Sequence, residues 1–139
     1  MTDTDTTAPM LLCLDLEAGS RELAQAAADH ARRCHWPLHV LHVLQSPLAA
    51  ADRRHHRERL QALCRTVFPD LPDDRLHVAD GIPEDVIIAT AQHLDSGLIL
   101  LGRRQRETVE RIYVGSTTSA VISLARRPVL VIPLAANHP

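Results

Sequence analysis

Short apolar runs alternate with longer amphipathic segments along the whole chain. An apolar run of about four to eight residues is typical of a buried strand, whereas apolar positions spaced three or four apart indicate a helix. On this basis the sequence predicts five strands. Their bounds are Met10–Leu16, Pro37–Leu44, Arg75–Asp80, Leu98–Leu101 and Pro128–Pro133.

Four segments with helical periodicity separate these strands. The first starts at the turn Gly19–Ser20, and the second spans Leu48–Val67 with a first half rich in arginine and histidine. A proline turn at Gly81–Glu84 starts the third helix, and the fourth spans Ser119–Arg126. Because strands alternate with helices throughout, we predict a three-layer α/β/α sandwich built on a five-stranded parallel sheet.

The length of 139 residues fits one domain that buries a core without disulfides or metals. We predict a flexible N-terminal tail over residues 1–9 and a folded domain over residues 10–135. Pro128 and Pro133 bracket the last strand, which suits a strand at the edge of the sheet, since proline cannot donate to a ladder.

Composition argues against a nucleic-acid partner. Aromatic residues make up only 2% of the chain, so the platform on which single-stranded bases stack is missing. The formal net charge of −2 gives no general attraction to nucleic acid or acidic membranes. The chain contains no lysine, which excludes a P-loop lysine and a Schiff-base lysine.

The cysteines and the N-terminus point to a reduced compartment. Cys13, Cys34 and Cys64 are odd in number and far apart, so they predict neither a disulfide framework nor a paired metal site. We interpret them as small core residues rather than redox sensors. The N-terminus has no basic and apolar signal segment, and no apolar run approaches about 18 residues. We therefore predict a cytoplasmic protein without membrane insertion.

The segment over residues 102–118, GRRQRETVERIYVGSTT, resembles a phosphate-binding site. It follows a strand and ends in a Gly-Ser-Thr-Thr step that opens the last helix. The first amides of a helix have no intrahelical acceptor, and the helix dipole favours an anion there. Four arginines outweigh two glutamates in this segment. These residues are Arg103, Arg104, Arg106, Arg111, Glu107 and Glu110.

Asp15 is the second candidate. It lies near the end of the first strand, where a charge needs a partner or a ligand, although it can also accept hydrogen bonds from the turn that follows. In parallel sheets, ligands bind beyond the carboxyl ends of the strands where the winding direction reverses. If the first and fourth strands are neighbours, Asp15 and Gly102 face one crevice.

Several motifs resemble the universal stress protein family of the UspA type, over residues 10–134. The matching segments occur in the expected order. They are Leu11–Asp15, Leu41–Val43, Gly81–Pro83, Leu100–Gly102 and Pro128–Val131.

The nucleotide signature of that family is glycine, two residues, glycine, nine residues, glycine, and then serine or threonine. Gly102, Gln105, Gly115 and Ser116 keep this spacing without a gap, and only the second glycine is replaced.

The resemblance implies a Rossmann-like sheet of order 3-2-1-4-5, similar to adenine-nucleotide hydrolases, and a homodimer that pairs through Val129–Ile132. It also implies that ATP, with Mg²⁺, lies across the crevice. By position, Asp15 binds at the adenosine end and the backbone of Val43 meets the adenine. The residues implied to contact the phosphates are Gly102, Arg104, Gln105, Gly115, Ser116, Thr117 and Thr118.

Gln105 leaves two interpretations open. A glutamine in the left-handed region costs roughly 1 to 2 kcal/mol relative to glycine, which weakens binding about ten- to thirtyfold rather than abolishing it. Its side-chain amide can also bond phosphate. The family contains ATP binders and non-binders, so one reading is a nucleotide-binding regulatory or protective dimer in stress response. The alternative is an interaction module that binds a protein partner and no nucleotide.

The sequence predicts neither a catalytic apparatus nor a metal site. It offers no nucleophile and base at usable spacing and no acidic Mg²⁺ motif beyond Asp15, so we expect at most slow ATP hydrolysis. A hydrolase or transferase on the related fold is a third alternative. Among the nine histidines, His39 and His42 point to opposite faces of a strand, and His55 and His56 diverge on a helix.

Overall fold

The computed structural model describes residues 8–45, 49–104 and 115–135. Five strands alternate with four α-helices, and a short 3₁₀ turn, Asp73–Arg75, precedes the third strand. The strands are β1 Met10–Cys13, β2 Leu38–Leu44, β3 Leu76–Asp80, β4 Leu98–Arg104 and β5 Val129–Leu134. The helices are α1 Ser20–Cys34, α2 Ala50–Val67, α3 Pro83–Leu94 and α4 Ser116–Leu124.

All five strands form one parallel sheet in the order β3-β2-β1-β4-β5, which confirms the predicted fold. Leu12 of β1 pairs with Val40 of β2 on one side and with Leu100 of β4 on the other. The winding direction therefore reverses between β1 and β4, the position at which such sheets bind ligands.

Each face of the sheet has its own core. Met10 and Leu12 of β1 point to the face covered by α1 and α2, whereas Leu11 and Cys13 point to the face covered by α3 and α4. A buried leucine side chain stabilises the fold by about 1.5 to 3 kcal/mol, so the fully buried β1 anchors both layers. This arrangement gives the three predicted layers.

The ends of β1 and β4 differ most from their predicted positions. β1 ends at Cys13 rather than Leu16, because the chain turns away from the sheet and Leu16 takes a left-handed conformation with φ 62°. β4 continues three residues beyond its apolar run, since Arg104 pairs with Leu134 of β5. The extension of β4 depends on strand pairing, which the apolar pattern does not report.

Pro133 lies inside β5 instead of marking its end, because the strand continues to Leu134. The strand is at an edge of the sheet, as predicted, where a missing amide donor is tolerated. Helix α4 also begins earlier than predicted, at Ser116 rather than Ser119.

The predicted tail over residues 1–9 lies mostly outside the described residues, as do Gln105, Arg106, Glu107, Glu110 and Arg111 of the basic segment. Among the helices that are described, none has both the length and the apolar character needed to cross a membrane.

The cysteines divide into two classes. Cys13 and Cys64 are buried core residues, as expected, whereas Cys34 is exposed at the end of α1 and corrects that interpretation. Burial raises the pKa of the Cys13 thiol and raises the pKa of Cys64 to about 11. Both buried thiols are therefore protonated and unreactive near neutral pH.

Candidate functional site

The turn from β1 into α1 holds Asp15 at the carboxyl end of the sheet. One carboxylate oxygen, Oδ1, accepts the backbone N–H of Glu17 at 2.8 Å and the hydroxyl of Ser20 at 3.2 Å. Asp15 therefore accepts hydrogen bonds from the turn that follows it, one of the two roles considered from the sequence. Asp15 is nevertheless exposed, so its carboxylate is oriented and still reachable from the crevice.

Leu16, the next residue, is in the left-handed region, which costs roughly 1 to 2 kcal/mol for a residue with a side chain. Such strain persists only where neighbouring groups hold the backbone in place. Arg59 of α2 donates to the carbonyl oxygen of Leu16 at 2.7 Å and supplies one such contact.

An apolar wall lies beside Asp15. It is formed by Cys13, Leu41, Val43 and Ile87, with the polar side chain of Gln45 at the edge of the same cleft. Small-molecule sites are commonly apolar with a few oriented polar groups, and a flat base needs such a wall. Val43, predicted to meet the adenine through its backbone, is part of this wall.

The N-terminus of α4 also lines the cleft, through Thr117 and Thr118. The N-cap of this helix is Gly115, which has no side chain to cap it, and Ser116 is the first helical residue. The amides of Ser116, Thr117 and Thr118 precede the first intrahelical bond, which Ser119 donates to Gly115 at 2.9 Å. They therefore form an anion-binding end.

Thr118 ties this helix end to β4. Its side chain is only 6% exposed, and its hydroxyl donates to the carbonyl oxygen of Gly102 at 3.3 Å. The hydroxyl proton is thus committed within the protein, which leaves the Thr118 amide and the hydroxyl oxygen for a ligand.

Gly102 has a packing role as well as a place in the cleft. A Cβ atom at this position would lie 2.8 Å from Cδ1 of Leu134 and 3.2 Å from Cδ2 of Leu23. Leu134 is buried between Gly102 and Gly19, where a Cβ would lie 3.0 Å from the same methyl group. A side chain at the first glycine of the signature would therefore displace the methyl groups that pack against the cleft.

Five of the nine residues predicted to form the site line the cleft. They are Asp15, Val43, Gly102, Thr117 and Thr118. Gly115 and Ser116 begin the same helix end, Arg104 is the last residue of β4, and Gln105 lies outside the described residues.

Sequence reasoning missed a pair of histidines beneath Asp15. His42 of β2 is 4% exposed and lies with its Nδ1 2.8 Å from the carbonyl oxygen of Leu14, while its Nε2 lies 3.1 Å from Nδ1 of His56. Burial lowers the pKa of His42. Helical spacing could have predicted that His56 faces the sheet, because His56 lies one turn before the buried Leu60 on α2.

A second pair, His39 and His77, lies on the face of the sheet opposite to His42. Its ring nitrogens are 2.9 Å apart. The sequence predicted that His39 and His42 point to opposite faces of their strand. Among the described residues, histidine, cysteine and carboxylate side chains form no group of three or more suited to a metal ion.

Comparisons with known sequences find one matching family. The family model described as the Universal stress protein family matches residues 7–133. Universal stress protein A homolog 1 of Coxiella burnetii is 27% identical to this chain over 138 residues, which covers 88% of this chain and 94% of that protein.

Solved structures share the fold. A universal stress protein from Archaeoglobus fulgidus superposes with a TM-score of 0.74 at 25% identity, covering 89% of this chain and 97% of that one. The structure of the universal stress protein from Archaeoglobus fulgidus in complex with dAMP has a TM-score of 0.71 at 24% identity, covering 89% and 96%. At this identity, the complex shows similarity of fold alone.

Proposed function

This chain belongs to the universal stress protein family, and from that membership we propose that it binds ATP or a related adenine nucleotide in the cleft between Asp15 and α4. We further propose that it acts in the cytoplasm as a regulatory or protective dimer in stress response. The observation that carries the proposal is the placement of an oriented carboxylate and an anion-binding helix end on either side of the β1–β4 reversal.

The cleft fits the three parts of a nucleotide. The wall of Cys13, Leu41, Val43 and Ile87 suits the flat face of adenine. Asp15, held by Glu17 and Ser20, is placed to accept hydrogen bonds from ribose hydroxyls. The α4 amides and the arginines of the preceding segment favour the phosphates, since their charge is positive where the nucleotide is negative. The relative from Archaeoglobus fulgidus in complex with dAMP supports this assignment by its fold.

Mg²⁺ would bind here mainly through the phosphates of the nucleotide rather than through protein ligands alone. Magnesium commonly keeps several water ligands and binds through substrate phosphates and one or two carboxylates. The described part of the chain has no acidic cluster at the cleft that could hold the ion by itself. A bound Mg²⁺ would offset phosphate charge, and the residues of this chain would orient the nucleotide.

The proposed dimer uses β5. Val129, Leu130, Val131 and Ile132 are only partly buried, and β5 is an edge strand of the sheet. Edge strands present unpaired backbone groups and pair readily with a second strand. Light scattering of the purified chain measures the mass of the assembly directly.

Calorimetric titration with ATP and Mg²⁺ tests nucleotide binding. We expect saturable binding by the unchanged chain and at least about a tenfold loss for Asp15→Ala, because a charge-assisted hydrogen bond is removed. Gly115→Arg should abolish binding, since the new side chain would fill the helix end. Asp70→Ala, which removes an exposed carboxylate away from the cleft, is the matched control. Absence of heat at millimolar ATP for the unchanged chain would contradict the proposal.

The replacement of the second signature glycine by Gln105 favours the alternative, an interaction module without nucleotide. Gln105→Gly separates the two functions. If the unchanged chain binds ATP, the glycine variant should bind about ten- to thirtyfold more tightly, by the backbone argument for glycine. If the variant binds ATP and the unchanged chain does not, the interaction module is the correct function.

A further inference from the structure

His42 and His56 form an end-to-end hydrogen-bonded pair beneath the nucleotide cleft. Their ring centroids are 5.3 Å apart and their planes differ by 12°. The facing nitrogens are 3.1 Å apart, so the centroid separation exceeds this distance by roughly two ring radii. The rings therefore lie edge to edge in nearly one plane, the arrangement of an N–H···N hydrogen bond rather than a face-to-face stack.

The bonding partners fix where the protons are. The carbonyl of Leu14 only accepts, so Nδ1 of His42 carries a proton and donates to it. In the neutral ring, Nε2 is then an acceptor, and Nδ1 of His56 must be the donor in the contact between the rings. Both ring nitrogens of His42 therefore have a hydrogen-bond partner.

Helix α2 holds the Asp15 turn at two points. His56 bonds to His42, which holds the carbonyl of Leu14, and Arg59 donates to the carbonyl of Leu16. The two carbonyls flank Asp15. Because Leu16 is in a strained conformation, the turn depends on these contacts to keep its shape.

The charges around the pair have mixed signs. Asp15 in the turn favours a proton on His42, whereas Arg59 of α2 opposes it. His55 contacts the His56 ring, and on the neighbouring β3 Asp80 is paired with Arg53 of α2. Burial outweighs these charges and lowers the pKa of His42, which favours its neutral ring.

We propose that His42 is a positioning residue for Asp15. Its hydrogen bond to the carbonyl of Leu14, held in place by His56, keeps the Asp15 turn in the shape that binds nucleotide. The inference rests on the proposed nucleotide site. It assigns to β2 and α2 a supporting role at the adenosine end of the cleft, in which His56 holds the buried His42 and His42 holds the turn.

The test measures ATP affinity by calorimetry at about pH 7.5. His56→Leu removes the donor to His42 and should weaken ATP binding roughly tenfold, whereas His56→Gln keeps a donor to His42 and should retain most of the affinity. His30→Gln on α1, the matched control, should bind ATP as the unchanged chain does.

The positioning role has its own variants. His42→Leu removes the donor to Leu14 and should weaken ATP binding roughly tenfold. His42→Asn keeps an N–H close to the position of Nδ1 and should restore most of the affinity at about pH 7.5. Equal affinity of the leucine and asparagine variants would overturn the assignment of His42.

A readout without nucleotide separates this inference from the proposed function. The Glu17 amide, which donates to Asp15, reports the turn by NMR. Its resonance should shift in His42→Leu and return close to its original position in His42→Asn. If ATP does not bind the unchanged chain, the proposed function fails and the Glu17 amide alone tests the positioning role. A Glu17 amide that keeps its resonance position in His42→Leu would overturn the inference.

Discussion

At the scale of single residues, glycines of the signature have different physical reasons to be glycine. Gly102 leaves room for Leu134, which packs against the cleft floor. Gly115 has no neighbour within 4 Å of its missing Cβ, and its φ of −61° is open to any residue. Packing therefore explains the first glycine, whereas space for a ligand at the helix end is the better explanation of the third.

This difference predicts unequal costs for two matched substitutions. Gly102→Ala should destabilise the fold by about 1 to 2 kcal/mol, because the buried Leu134 and Leu23 must shift. Gly115→Ala should cost less than about 1 kcal/mol, the loss of a glycine N-cap. Urea denaturation of both variants measures the two free energies of unfolding. Equal costs would contradict the packing role of Gly102.

At the scale of elements, the apolar pattern predicted all five strands and four helices. The strand order that makes β1 and β4 neighbours came from the family resemblance, and the sheet confirms it. The start of α4 was wrong by three residues, because polar Ser116, Thr117 and Thr118 form its first turn. The end of β4 was missed because it depends on pairing with β5. The His42–His56 contact was missed because it joins two elements whose relative placement is set by tertiary packing.

The tie between α4 and β4 gives a prediction at this scale. Thr118→Val keeps the shape of the side chain but removes the hydroxyl that bonds to Gly102. It should lower the free energy of unfolding by about 1 kcal/mol and weaken ATP binding, since the helix end loses its anchor. Thr66→Val is the control, because the exposed Thr66 bonds only within α2, to the carbonyl of Ala62. Thermal unfolding that changes equally in both variants would argue against the anchor.

At the scale of the whole molecule, three buried or half-buried histidines link stability to pH. Burial is the first cause that lowers the pKa of His39, His42 and His77 below the ordinary value of 6.5. Below about pH 6.5 the unfolded chain therefore binds more protons than the folded one. The stability that these neutral rings contribute is present above that pH and is lost as the pH falls towards their lowered pKa values.

The unfolding midpoint in urea should accordingly decrease from about pH 7.5 to about pH 5.5. Each extra proton bound by the unfolded chain contributes about 1.4 kcal/mol per pH unit. Replacing both members of the second pair, in His39→Gln with His77→Gln, should flatten this dependence, whereas His30→Gln should leave it intact. A midpoint that rises on acidification would contradict the direction inferred from burial.

A crystal structure determined with ATP and Mg²⁺ tests the proposed nucleotide site most directly. We expect adenine against Val43 and Ile87, ribose beside Asp15 and phosphates at the amides of Gly115 to Thr118. An empty cleft in crystals saturated with ATP, or ATP bound at another surface, would contradict the proposed site.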